Sequence, residues 1–412
     1  MNLNTPALNL HRRLAGKLSI VAKEPLTHPS DLALQYTPGV AEPCLAIAAD
    51  PESVYEYTGR GNLVAVISDG SAVLGLGNIG PLAGLPVMEG KALLFREFAG
   101  IDAVPLVLGT QDSAQIIATV TALAPSFGGV NLEDIASPRC FEIEKALQAA
   151  LDIPVFHDDQ HGTAIVVLAG LMGAAKKVGK DWARLRVVIN GAGAAGTAIA
   201  GMLLEAGLTQ VTVCDKAGAL VRGDAGLSPA MAELATRTNP ECRPGDLLAS
   251  LAGADVFVGV SAARLLTSAH VKAMAPGAIV FALANPEPEI LPTDALAAGA
   301  AVAASGRSDF PNQINNVLAF PGLFRGALDV RAPRISAGMK VAAAKAIASL
   351  AGTGPEGSDS IIASPFHPEL AFTVAKAVAE AAVDEGIARR PLRGQVLTAE
   401  IRRRLSSARG KE

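Results

Sequence analysis

R-V-V-I-N-G-A-G-A-A-G-T-A-I-A-G-M-L-L-E-A-G, from Arg186 to Gly207, runs a β-rich stretch, a glycine turn and a helical stretch together without a break. The turn Gly191, Ala192, Gly193, Ala194, Ala195, Gly196 fits the pattern G-x-G-x-x-G. In that pattern the glycines allow a tight turn, let the backbone approach a pyrophosphate and let the helix pack closely on its strand. Glycines also open helices for conformational reasons alone, so the context decides. Asp215 ends the next β-rich run, V-T-V-C-D, 19 residues after Gly196, near the spacing of about 20 at which an acid meets ribose hydroxyls in dinucleotide folds. Further β-rich runs at 255–260, 278–285 and 300–305 extend the series, and a Rossmann-type domain binding NAD or NADP is expected.

Upstream, short apolar runs alternate with helical windows. L-V-A-V-I-S, A-V-P-L-V-L, G-V-N-L-E-D and I-P-V-F-H-D alternate with helical stretches near 88–98, 113–123 and 141–151. Runs that are apolar on both faces suit strands covered by crossover helices, hence a second, mostly parallel sheet. The fold class is therefore α/β with two domains. An N-terminal catalytic and metal-binding domain covers 1–160 and a dinucleotide-binding domain with C-terminal helices covers 161–390. A basic tail, 391–412, is expected to be surface-exposed, and residues 1 to about 60 to wrap the core or a partner subunit.

The chain has 412 residues, half of them apolar and 18% charged, with a formal charge of −4. That composition supports large cores and excludes disorder. With no dense Lys/Arg block, neither nucleic acid nor a membrane surface is an expected partner; small molecules are. Cys44, Cys140, Cys214 and Cys242 form no C-x-x-C pair, which fits reduced thiols in a cytoplasmic protein. The N-terminus lacks an apolar signal core, and the longest apolar stretch, 163–175, is shorter than the roughly 20 residues a bilayer requires.

Two acidic pairs, Glu133 with Asp134 and Asp158 with Asp159, fall where predicted strands stop. Ligands collect at the carboxyl edges of open α/β sheets, and oxygen-only clusters suit Mg²⁺ or Mn²⁺. Acids at strand ends also occur as solvated loop residues or helix caps. A divalent cation beside a nicotinamide implies oxidation coupled to a step that needs a Lewis acid, such as oxidation of a hydroxy acid followed by decarboxylation. Lys91, in M-E-G-K-A-L-L-F, reads either as a snorkelling side chain or as a desolvated base with a depressed pKa. Tyr36 stands before T-P-G-V, which fixes a turn and exposes backbone N–H groups; taken alone it reads as an aromatic plug. Asn285, Asn315 and Asn316 read as turn residues or as neutral donors to a carboxylate.

Taken in order, Y-T-P-G-V-A-E-P, G-L-G-N-I-G-P, E-G-K, N-L-E-D-I, H-D-D-Q-H-G-T-A, G-A-G-A-A-G, A-N-P and N-N-V-L-A-F-P-G resemble the malic enzymes in their short bacterial form, over residues 10 to 390. The resemblance implies oxidative decarboxylation of malate to pyruvate and CO₂ with reduction of NAD or NADP, and decarboxylation of oxaloacetate. It implies Lys91 as the base for the malate hydroxyl and Tyr36 as the acid that protonates the enol. Glu133, Asp134 and Asp159 would be ligands of Mg²⁺ or Mn²⁺, with Asp158 behind them and close to Lys91. Asn285 would serve cofactor and substrate, Asn315 and Asn316 the substrate carboxylate. A homodimer is implied as well.

One departure matters. Ala72 stands where larger relatives carry a substrate-binding arginine, so carboxylate binding must rest on Asn donors, backbone N–H groups, Arg60 or a partner subunit. Asp215 favours NAD over NADP, with Lys216 and Arg222 as possible counterweights. The competing readings are a dehydrogenase acting on hydroxy or amino acids without decarboxylation, and a catalytically idle nucleotide-binding protein.

Overall fold

The computed structural model describes residues 5–354 and 357–406. The first sheet contains β1 (Leu63–Ser68), β2 (Asp102–Val107), β3 (Gly129–Leu132) and β4 (Val155–His157), all parallel, in the order β2-β1-β3-β4. β1 lies inside, between β2 and β3, and its residues from Val64 onward are buried, which accounts for its unbroken apolar text.

The second sheet contains β5 (Arg186–Asn190), β6 (Gln210–Asp215), β7 (Gly218–Ala219), β8 (Val256–Gly259), β9 (Ile279–Ala282) and β10 (Val302–Ser305), in the order β10-β9-β8-β5-β6-β7. Every pairing is parallel except β6 with β7. Gly218–Ala219 is too short to leave a pattern in the sequence.

The helix Asp158–Val178 joins the sheets, with 13 buried residues from Asp158 to Ala175. One hydrophobic cluster runs through it from Val64 and Val66 of the first sheet to Val187 and Ile189 of the second. Phe95 meets Phe320 and Phe324 edge-on at 4.7 and 5.2 Å, and Phe324 meets Phe156 at 5.9 Å. These rings lock the helices Pro81–Ala99 and Phe320–Asp329 behind the first sheet.

Three expectations are corrected. Asp158 and Asp159 begin a helix rather than end a strand; acids are favoured at that position because helix N-termini carry partial positive charge. The helical stretch expected near 88–98 begins earlier, at Pro81, a favourable first helical residue, so Lys91 lies in the middle of the helix Pro81–Ala99 rather than near its start. The basic tail is not simply exposed. Residues Gly394–Ser406 form a helix whose Leu397 and Ile401, one turn apart, are wholly buried while Arg402 and Arg403 are exposed and Arg404 is partly covered; residues 407–412 lie outside the described region.

From Thr5 to Leu63 no described residue is buried. Ile20, Val21, Leu34, Tyr36 and Leu45 are among the exposed apolar and aromatic side chains of this segment. Among the described residues, no helix is long and apolar enough to cross a membrane.

Candidate active site

The carboxyl ends of both sheets face a shared cleft of about 770 Å³. From the strand ends of the first sheet it receives Glu133, Asp134 and His157, from the start of the helix Asp158–Val178 Asp159, from the helix Pro81–Ala99 Lys91, and from the second sheet's side Ala194, Ala195, Asn285, Asn315 and Asn316. Asp158 is wholly buried behind Lys91. The glycine turn sits at the cleft edge through Ala194 and Ala195, the first residues of the helix Ala194–Glu205. Gly191 has φ +125°, and a Cβ on Gly196 would come within 1.7 Å of the Gly191 carbonyl oxygen. Any side chain there would break the turn, whereas Gly193 faces open space, where a phosphate could approach the helix N-terminus.

Lys91 is held by two acids. Its Nζ lies 2.5 Å from Asp158 Oδ2, 2.9 Å from Glu133 Oε1 and 4.1 Å from the centre of the Phe320 ring. Burial alone would push the ammonium's pKa down, but Asp158 and Glu133 outweigh it and hold the value above that of an ordinary lysine. The depressed pKa expected for a desolvated lysine is therefore not found, because the desolvation is more than compensated by charge.

Glu133, Asp134 and Asp159 each place a carboxylate oxygen within 4.8 Å of the others. Asn131 shares the face of Glu133, two residues along the strand direction, and donates to its Oε2 at 2.8 Å. Asp134 adopts φ +54°, a conformation that Asp tolerates better than most residues; its N–H donates to Asp159 Oδ2 at 2.8 Å. Its own Oδ2 is buried without any hydrogen-bond partner. Burial and the neighbouring carboxylates raise Asp134 to about 8, while burial raises Glu133 to about 7 against the pull of Lys91. Burial likewise lifts Asp159 to about 6 and Asp158 to about 7, with Lys91 opposing in both cases.

An unpartnered buried oxygen among mutually repelling carboxylates is a donor set short of a cation, and all-oxygen donors fit Mg²⁺ or Mn²⁺. Asp159 keeps 38% of its side chain open, which leaves an entry path. Glu133 and Asp134 are not the solvated loop residues that acids at strand ends often are: each is only 4% exposed.

Several residues near the site had no role in the sequence analysis. His157 is buried, and its Nε2 lies 3.7 Å from Asp159 Oδ2, beyond hydrogen-bond reach. Glu144 accepts from the His157 backbone N–H and contacts His161 at 3.0 Å. Asp69 and Ser71 tie the loop before Ala72 to Arg139, each at 3.0 Å. Asn131 was detectable from strand alternation and the two histidines from their place in H-D-D-Q-H. Arg139 had no local signal.

Tyr36 does not line the cleft; its residue is 66% exposed on the N-terminal segment. Arg60 is also absent from the cleft and stacks on Tyr55 at 4.9 Å, so it does not replace the arginine missing at Ala72. Asn315 Oδ1 accepts from the Val317 N–H, leaving its amide nitrogen as the group able to donate to substrate. Asp215 stands at the end of β6, where its Oδ1 accepts from the Ala217 N–H at 2.7 Å.

Two family models match the chain, the malic enzyme N-terminal domain over residues 15–148 and the malic enzyme NAD-binding domain over residues 160–383. The chain belongs to the malic enzyme family. It is 54% identical to the bifunctional malic/malolactic enzyme of Bacillus subtilis, over 94% of this chain and 95% of that protein. To the NADP-dependent malic enzyme of Halomonas elongata it is 48% identical, over 93% of this chain and 94% of the relative. The crystal structure of the NAD-dependent malic enzyme of Thermotoga maritima superposes with a TM-score of 0.87 at 47% identity, covering 91% of this chain and 99% of the other.

Proposed function

We propose that this protein oxidatively decarboxylates malate to pyruvate and CO₂ with reduction of NAD or NADP, in a reaction that depends on a divalent cation. The observation that carries the reading is the convergence of Lys91, three clustered carboxylates and the glycine turn on one cleft. The two-part division at residue 160 belongs to the same reading, with each part contributing one wall.

Glu133, Asp134 and Asp159 would hold the cation, and the turn from Gly191 to Gly196 with Asp215 and Asn285 the dinucleotide. When bound, the dinucleotide supplies a hydride acceptor and the cation a Lewis acid that stabilises negative charge on the substrate oxygen through decarboxylation. Once the pull of Glu133 is diverted, Lys91 passes its extra proton to Asp158 across their 2.5 Å contact, and the neutral amine, still held in position by Asp158, takes the hydroxyl proton of malate. Asn315 and Asn316 donate to the substrate carboxylate. Tyr36 returns a proton to C3 of the enol. The deciding assay follows absorbance of the reduced cofactor with malate and Mn²⁺ while pyruvate and CO₂ are quantified. Cofactor reduction without CO₂ would favour a simple dehydrogenase, and nucleotide binding without turnover an idle protein.

A role for Tyr36 requires a second subunit, because within one chain it stands outside the cleft. The exposed apolar side chains from Leu8 to Leu45 form a surface that association would cover, and we place the N-terminal segment of one subunit against its partner. A dimeric mass in solution is expected, with malate turnover falling on dilution below the dissociation range. A fully active monomer at micromolar concentration would refute the arrangement.

For the cofactor, Asp215 favours NAD, since its charge accepts from ribose hydroxyls and repels a 2′-phosphate. Arg222 donates to the Thr236 carbonyl at 2.9 Å, which engages one of the two cations that could offset that repulsion. The expected result is a higher kcat/KM with NAD. A tenfold preference for NADP, about 1.4 kcal/mol, would show that Lys216 and Arg222 outweigh Asp215.

A further inference from the structure

Glu289 is a wholly buried acid of the second domain, outside the carboxylate cluster of the cleft. Its two oxygens are spent on two different loops. Oε1 accepts from the N–H of Ser261, just beyond β8, and Oε2 from the N–H of Ala284, just beyond β9, each at 3.1 Å. The backbone beside it ties down the first of these loops as well, since the Pro288 and Glu289 carbonyls accept from the Arg264 and Leu266 N–H groups at 3.1 and 3.0 Å. Room for the carboxylate comes from Gly259, the last residue of β8, where a Cβ would lie 2.4 Å from the Glu289 carboxyl carbon. Gly259 is not among the residues with positive φ, so the acid, and not the backbone conformation, demands glycine there.

Both anchored loops face the catalytic cleft, which Val260, Ser261, Leu283, Ala284 and Asn285 help to line. In the sheet, β8 and β9 lie on one side of β5, and β6, which ends at Asp215, lies on the other. A dinucleotide in a Rossmann domain lies across the carboxyl ends of the strands, with its pyrophosphate on the glycine turn and its adenosine ribose at the acid of the next strand. Its nicotinamide half would then fall over β8 and β9. Ser261 also reaches the glycine turn: its Oγ accepts from Asn190 Nδ2 at 2.8 Å, and Asn190 immediately precedes Gly191. That contact leaves the hydroxyl proton of Ser261 to be donated to a ligand.

We infer that Glu289 is a positioning residue for the nicotinamide half of the cofactor, holding the loops after β8 and β9 at the separation at which Ser261 and Asn285 meet that half. A carboxylate suits the place because both of its oxygens only accept. Glutamine, of nearly the same shape, would turn its amide N–H groups towards one of the two backbone N–H groups, and that loop would lose its anchor. Burial pushes the pKa of Glu289 up, while the Ala284 and Ser261 N–H groups oppose the rise by favouring the ionised form. The inference rests on the reading of the cleft as a nicotinamide dinucleotide site, and adds to it the residue that orients the reactive half.

The test compares two probes on the full chain: the reduced cofactor, NADH or NADPH according to which the wild type binds more tightly, and the ADP or 2′-phospho-ADP that makes up its other half. Calorimetry gives both affinities, and the emission of the bound dihydronicotinamide reports the surroundings of the ring. In Glu289→Gln the reduced cofactor should bind roughly tenfold more weakly, because a loop freed from its anchor has to be ordered again on binding. Its emission should shift towards that of the free cofactor, while affinity for the adenosine half stays at the wild-type value. Gly259→Ala, on a different strand, should give the same split, since its methyl group displaces the acid; this variant keeps the test valid if Glu289→Gln fails to fold. Cofactor affinity and emission unchanged in both variants, or a loss shared equally by the cofactor and its adenosine half, overturns the inference and leaves the reading of the cleft intact. A wild type that binds neither reduced cofactor would refute that reading, and the role of Glu289 with it.

Discussion

Replacing Lys91 by alanine is expected to lower kcat for malate oxidation by about 10²- to 10⁴-fold, the contribution typical of a positioned acid–base group, with nucleotide affinity little changed. The substitution also removes the cation that pairs with two buried acids, Glu133 and Asp158. Breaking a buried pair from one side costs about 3–5 kcal/mol, less here to the extent that the orphaned carboxylates take up protons. Lys91→Arg separates the two effects, because a guanidinium keeps the charge but does not surrender its proton. Activity should remain lost in Lys91→Arg while more of the melting temperature is retained. Near wild-type malate turnover in either variant, with the fold checked by circular dichroism, would remove Lys91 from the mechanism.

The sheets were legible because their inner strands, β1, β3, β5, β8 and β9, are buried on both faces. The apolar text of V-V-I in β5 or V-F-V-G in β8 has no other economical reading once helical windows flank it. The acids and glycines of the cleft were legible for a related reason: strand ends and tight turns are where such residues carry chemistry. What stayed hidden depends on tertiary neighbours. The protonation of Lys91 is decided by two carboxylates brought from residues 133 and 158, not by the apolar residues beside it in sequence. The tail helix rests on two buried side chains, Leu397 and Ile401, within a predominantly polar string. The position of Tyr36 outside the cleft could not be read from the turn that follows it, because the turn fixes local backbone and not the surface against which the ring lies.

The acid cluster predicts how the metal-free protein responds to pH. Asp134 at about 8 and Glu133 and Asp158 at about 7 lie above their ordinary values of 3.8, 4.5 and 3.8. The folded chain therefore holds protons that the unfolded chain has released, and this contribution to stability, complete below about pH 4, is lost as pH rises through the folded values. His157 acts in the opposite sense: burial, with His161 and Lys91 adding to it, lowers its value from 6.5 to about 4, so its contribution is lost as pH falls through that interval. Between pH 6.5 and 8 the carboxylates act without that opposition, and the melting temperature without metal should decline across this window. Mg²⁺ or Mn²⁺ should flatten the decline, since a cation bound only by the folded state at 100 times its Kd adds about 2.7 kcal/mol. Asp134→Asn keeps the shape of the side chain, and Asn tolerates the same backbone conformation, but it deletes the most perturbed of these charges. The variant should melt higher than wild type at pH 8 without metal, show a shallower pH slope, and bind Mn²⁺ at least tenfold more weakly by calorimetry. An unchanged slope together with undiminished stabilisation by Mn²⁺ would mean that Asp134 neither carries the repulsion nor holds the ion.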